Sequence, residues 1–289
     1  DALLGIFDAI APAASAALGE LAQGNLEKFH AILGPTVPLS RHIFKAPTRF
    51  YKTGVVFMAV FVWRQISLGK ADRALLNLQT FKSANFSIGL TLMVVAMLVM
   101  FGYIILLPIY IQDGLGLSAL NAGMVLLPGG LAMGLLSPVI GSLYDKFGAR
   151  KLLIPASFFV AAVLGMFTFI GEDTNIWVLT FMYLLFMVGI GFFFTPLFSL
   201  TMGSVAPHLY SHASATVGSL QQVAGAAGTA VFITVFTIAG SSYRSAYASE
   251  AQGVTAGTHQ AFLLGAIIWL VTPVLAFAIS EKNRSVQQH

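Results

Sequence analysis

"FSIGLTLMVVAMLVMFGYIILLPIYI", residues 86–111, runs for 26 residues without Asp, Glu, Lys or Arg. A helix crossing the hydrocarbon of a bilayer needs about 20 mostly apolar residues, so this stretch reads as a membrane span. Five more follow at Ala119–Leu143, Leu152–Gly171, Ile176–Leu200, Ala213–Gly240 and Ala261–Ser280, and none contains Asp, Glu, Lys or Arg. Six such helices can face lipid or one another at little electrostatic cost. The expected fold is therefore an all-α integral membrane protein with a six-helix transmembrane bundle over residues 86–280.

Composition agrees. Of 289 residues, 57% are hydrophobic and only 9% are charged, against about 25% charged in a soluble domain. Mean hydropathy is +0.84. The chain has no cysteine, so disulfides and thiolate metal sites are excluded. It holds no Gly-rich phosphate loop, no Ser-His-Asp set and no paired carboxylates, so no enzyme activity, ATP hydrolysis or cofactor is expected. No nucleic-acid partner is expected either.

The connections sort by charge. One set carries Arg64, Lys70, Arg73 and Lys82, then Lys146, Arg150 and Lys151, then Lys282 and Arg284. The alternate set carries Asp113, then Glu172 and Asp173, then Glu250 with one base, Arg244. The positive-inside rule places the first set, and the carboxy-terminal tail 281–289, in the cytoplasm.

The region before the bundle reads differently. "TGVVFMAVFVW", 53–63, is apolar but short and lies between Lys52 and Arg64. It reads as the end of a preceding helix, with 53–85 as partial helix and cytoplasmic linker. Residues 1–52 have no span. They are Ala-rich at first, then broken by Pro35, Pro38 and Pro47 among Arg41, Lys45 and Arg49. A divergent surface or disordered segment is expected there, and the opening on Asp1 suggests a fragment.

Charge concentrates in "GSLYDKFGARK", 141–151. Read as a cytoplasmic turn, it uses Gly141 and Gly148 for a tight reversal and close helix approach. Asp145 can oppose a helix N-terminus, and Arg150 or Lys151 can pair with a carboxylate. A plain topogenic loop would need bases but not Gly, Asp and Gly at this spacing.

This stretch resembles the signature loop of the major facilitator superfamily, Gly-x-Leu-x-Asp-[Arg/Lys]-x-Gly-[Arg/Lys]-[Arg/Lys]. It matches at Gly141, Leu143, Asp145, Lys146 and Gly148 and departs at Ala149, the bases following at Arg150 and Lys151. "LLPGGLAMGLLSPVIGSLYDKFGAR", 126–150, and "VFVWRQISLGKADRALLNLQTFKSANF", 60–86, are similar to the 14-helix drug:proton antiporter branch. The resemblance implies that the six spans are the carboxy-terminal half of a proton-coupled multidrug exporter working by alternating access. It implies lipophilic or cationic drugs as cargo, protons as the coupling ion, and an amino-terminal bundle as a missing partner. The residues of 141–151 would then form a conformational latch. The spans supply no Asp, Glu, Lys or Arg for proton coupling, so that site is expected outside this chain. Two alternatives stay open: a truncated, non-transporting half-bundle that needs a partner chain, and a facilitator of another small solute.

Further candidates lie within the spans. In "GSLQQVAGAAGTA", 218–230, Gly218, Gln221, Gly225 and Gly228 share one helical face, with Gln222 one step round. Small residues invite a close neighbour. Gln221 then either contacts substrate or the opposite bundle, or bonds across the helices. "GIGFFFTPLF", 189–198, places three consecutive Phe; with 100° per residue about one faces inward, and Phe193 and Phe194 join Tyr103 and Tyr110 as candidate cavity residues. Pro108, Pro128, Pro138, Pro196 and Pro273 permit kinks, and Pro128, Gly129 and Gly130 mark the expected flexing point. His208 and His212 stand at i, i+4, but no third ligand is near, so no metal site is expected.

Overall fold

The computed structural model describes residues 78–246 and 250–279. The expectations for residues 1–77 (the divergent segment, the partial helix at 53–63 and most of the linker) and for the tail 281–289 lie outside the described residues.

The described residues are mostly helical, with no strand among them. After a 3-10 turn at Leu78–Lys82 come α1 (Ala84–Ile109), α2 (Ala119–Phe147), α3 (Ala149–Phe167), α4 (Ile176–Gly203), α5 (Tyr210–Ala246), α6 (Glu250–Trp269) and a short α7 (Val271–Phe277). The α6–α7 pair forms one span, so six segments are long and apolar enough to cross a membrane. The six apolar runs read from the sequence are these six segments.

Local chemistry starts the helices. Ser83 accepts from the Phe86 amide at 3.4 Å, Ser118 from the Asn121 amide at 3.4 Å and Asn175 from the Trp177 amide at 2.8 Å. These side chains satisfy amides that the first turn of a helix leaves without partners. Proline shapes the interiors. Pro108 sits just before a π-turn, Tyr110–Gly114, that extends α1. Pro155 lies inside α3, and Pro128 and Pro138 lie inside α2 without breaking it. The last span is interrupted at Leu270, three residues before Pro273.

Five rings from five helices meet at the centre. Tyr103 of α1 stacks on Phe262 of α6 with centroids 4.2 Å apart and planes 11° from parallel. Phe167 of α3, Phe186 of α4 and Phe232 of α5 surround it at 5.3, 5.4 and 6.0 Å. Gly102 and Gly265 make room: a Cβ on Gly265 would stand 2.6 Å from the Tyr103 ring. The Tyr103 hydroxyl donates to the Phe262 carbonyl oxygen at 2.7 Å. Lower in the bundle, Trp269 packs on Phe193 and donates its indole N–H to the Ser157 carbonyl oxygen at 2.9 Å. The Tyr103→Phe variant is expected to lose about 1 kcal/mol, the net worth of a buried hydrogen bond, read as a lower unfolding midpoint in detergent.

Burial is uneven. In the most apolar window of α2 only 17% of residues are buried, and in α5 only 22%, against 39–50% in the other spans. α2 packs mainly on α4, while α5 packs on α1 and α6. The two sparsely covered helices thus flank the α1–α4 pair.

Candidate functional site

The charged stretch 141–151 is built from two helix ends. α2 continues through Phe147, Gly148 alone makes the reversal, and α3 starts at Ala149. This corrects the reading of 141–151 as a turn: Asp145 and Lys146 occupy the last turn of α2, and Arg150 and Lys151 the first turn of α3. Gly148 is buried with φ 85° and ψ 168°, and its amide donates to the Tyr144 carbonyl oxygen at 2.9 Å. Only glycine holds that backbone region cheaply. Gly148→Ala is expected to cost about 1–3 kcal/mol of stability, measurable by thermal unfolding in detergent. Gly141, by contrast, lies within α2 with nothing within 4 Å of an added Cβ, so it meets no close helix among the described residues. Leu143 is half-buried, and Asp145, Lys146, Arg150 and Lys151 are exposed. The Lys146 ammonium lies 5.4 Å from the Phe147 ring centroid. Three bases and one acid therefore crowd one end of the α2–α3 hairpin.

The remaining candidates separate. Tyr103, Tyr110 and Phe193 are buried in the packed interior. Both tyrosine hydroxyls are engaged, Tyr103 with Phe262 and Tyr110 with the Gly171 carbonyl oxygen. Of the three consecutive rings, Phe193 is the one turned inward, while Phe192 and Phe194 are half-buried. Gln221 is half-buried at the α1–α5 seam, its amide nitrogen 3.8 Å from the Met93 sulfur. Gln222 is exposed on the open side of α5. The six residues do not converge on one cavity.

The small-residue face of α5 does meet a neighbour, in part. A Cβ on Gly225 would stand 3.1 Å from the Phe101 ring, and one on Gly228 only 2.2 Å from the Leu98 backbone oxygen. Gly218 shares the face but has nothing within 4 Å. On α2, Gly129 seats against Tyr183 and Met187, while Gly130 is open; the helix is continuous through Pro128.

His208 lies in a 3-10 turn, Pro207–Leu209, just before α5, which holds His212. Among the described residues no group of three metal-type ligands occurs. The sequence reading passed over His259. This residue sits half-buried nine residues along α6, in a stretch that the expected boundary at Ala261 left outside the span.

The lincomycin resistance protein LmrB of Listeria innocua is 37% identical over 226 residues, covering 74% of this chain and 46% of that protein. The protein of the same name from Bacillus subtilis is 32% identical over 230 residues, 78% of this chain and 47% of that protein. A Bacillus subtilis protein described as an uncharacterized MFS-type transporter, YcnB, is 27% identical over 238 residues, 81% of this chain and 49% of that protein. This bundle is related to the major facilitator transporters. The chain spans about half the length of the curated relatives it matches. These relatives are named as transporters or resistance proteins, not as enzymes. The family described as "Protein of unknown function (DUF993)" matches residues 1–73. The stretch that resembles the major facilitator signature forms the junction of α2 and α3 around Gly148.

Proposed function

We propose that the chain supplies one bundle of a drug exporter of the major facilitator type, moving lipophilic or cationic compounds by alternating access in exchange for protons. The observation that carries the reading is the similarity to two lincomycin resistance proteins across three quarters of the chain.

The geometry supports the same reading. α2 leaves Leu120, Leu127, Leu131 and Leu135 exposed, and α5 leaves Val223 and Ile238 exposed. These faces, on the two helices that flank the α1–α4 pair, suit a second bundle that rocks against this one. We assign that bundle to the partner expected from the sequence, in the same polypeptide or in another. The charged end of the α2–α3 hairpin would latch the two bundles on the cytoplasmic side, Asp145 against a helix N-terminus and Arg150 or Lys151 against a carboxylate. Aliphatic and aromatic side chains favour lipophilic cargo.

Growth of a drug-sensitive host tests the reading. Expression of the chain together with an amino-terminal bundle should raise the lincomycin or ethidium concentration that stops growth. Unchanged sensitivity, with both bundles shown to be in the membrane, would count against it.

A further inference from the structure

A groove of about 360 Å³ opens between α3 and α4. Leu152, Pro155, Ala156 and Phe159 form one wall, and Val188, Gly189 and Phe192 form the other. All seven are apolar. At Gly189 the two helices approach closely, since a Cβ there would meet Val160 at 2.6 Å and Phe159 at 2.9 Å.

Its position along the helix narrows the occupant. α3 has 19 residues and is about 28 Å long at 1.5 Å per residue, barely the thickness of the hydrocarbon, about 30 Å. Its first turn therefore lies at the headgroup boundary. The groove begins at Leu152, one residue after Lys151, and continues for about 10 Å inward to Phe159. Lys151 is exposed and lies one turn before Pro155 on the same stripe. Its stem leans toward the helix N-terminus, so the ammonium snorkels to the headgroup level. Arg150 and Lys146 stand at the same end, against one acid, Asp145. A phosphate at the boundary with an acyl chain directly beneath it is the arrangement of a phospholipid.

We propose that this groove is a binding site for an anionic phospholipid, one acyl chain lying between α3 and α4 and the headgroup phosphate held by Lys151. A base near the membrane surface favours anionic lipid about fivefold. This assignment needs only that the bundle spans a membrane and stands whether or not the chain exports drugs.

The test uses the full chain in nanodiscs, with Phe192→Trp as a reporter in the groove and the parent chain, with its 3 tryptophans, as background. Phosphatidylglycerol or phosphatidylcholine, brominated on the upper acyl chain, is titrated over the same range of mole fractions. Brominated phosphatidylglycerol should reach half-maximal quenching of the reporter at about one fifth the mole fraction of the choline lipid. Lys151→Gln should abolish that preference, and Lys151→Arg should keep it. Val188→Trp, tested with nitroxide-labelled lipid in place of the fluorescence readout, should exclude both lipids from the groove. Equal quenching by the two lipids, or a preference that survives Lys151→Gln, would overturn the proposal. So would relief of quenching by ethidium at micromolar concentration, which would make the groove a drug site.

Discussion

Gly228→Leu is expected to destroy the folded bundle. At this position α5 crosses the backbone of α1, and a Cβ alone would stand 2.2 Å from the Leu98 oxygen and 2.8 Å from the Leu98 Cα. The obstacle is main chain, which has no rotamer to change. One helix must move bodily, and α1 is also held through Tyr103 to Phe262 on α6. Overpacking of a well-filled interior costs about 1–3 kcal/mol where side chains can shift; with backbone as the obstacle we expect about 3 kcal/mol or more. Size-exclusion chromatography and thermal unfolding in detergent should show loss of the monodisperse species. Gly218→Leu, on the same face of the same helix but with nothing within 4 Å, is the control and should match the parent. If both variants behave alike, the close crossing of α1 and α5 is wrong.

Asp145→Asn is expected to leave the protein folded and inserted but to cut drug efflux by the two-bundle transporter at least tenfold. Asp145 is exposed in the last turn of α2, so its substitution removes little from the packing of this bundle. The proposed loss is a charge-assisted contact with the partner bundle, of the order of 1.5–3 kcal/mol, which corresponds to a tenfold or greater shift in the latched population. Efflux at the parent rate, with parent amounts in the membrane, would sink the latch. A drop in membrane amounts equal to the drop in efflux would assign Asp145 to folding instead.

The spans were legible because lipid imposes a simple demand, a long run without charge, and Phe86–Ile111 meets it openly. The start of α6 was not. Glu250, Gln252, Thr255, Thr258, His259 and Gln260 dilute the apolar signal over the first eleven residues, yet the helix is held by burial of Val254, Gly257, Thr258 and Ala261 on its neighbours. That shortfall hid His259 inside the span. The shape of the stretch 141–151 was not legible. Gly and Asp suggested a loop, whereas a single residue at φ 85° is enough to join two helices end to end. Periodicity on α5 gave the face carrying Gly225 and Gly228, but it could not say how far α1 follows that face, and Gly218 lies beyond the contact. The aromatic centre was hidden altogether. Tyr103, Phe167, Phe186, Phe232 and Phe262 come from five helices spread over 160 residues, and nothing local to any one ring foretells the others. For the same reason Tyr103 and Phe193 looked like cavity candidates when read one at a time.

The most direct test of the central claim is ethidium efflux from energised cells that express residues 1–289 with an amino-terminal bundle, measured with and without a protonophore. The account predicts outward movement of ethidium that stops when the protonophore collapses the gradient. Ethidium retention equal to that of cells lacking the protein, with both bundles inserted, would contradict it.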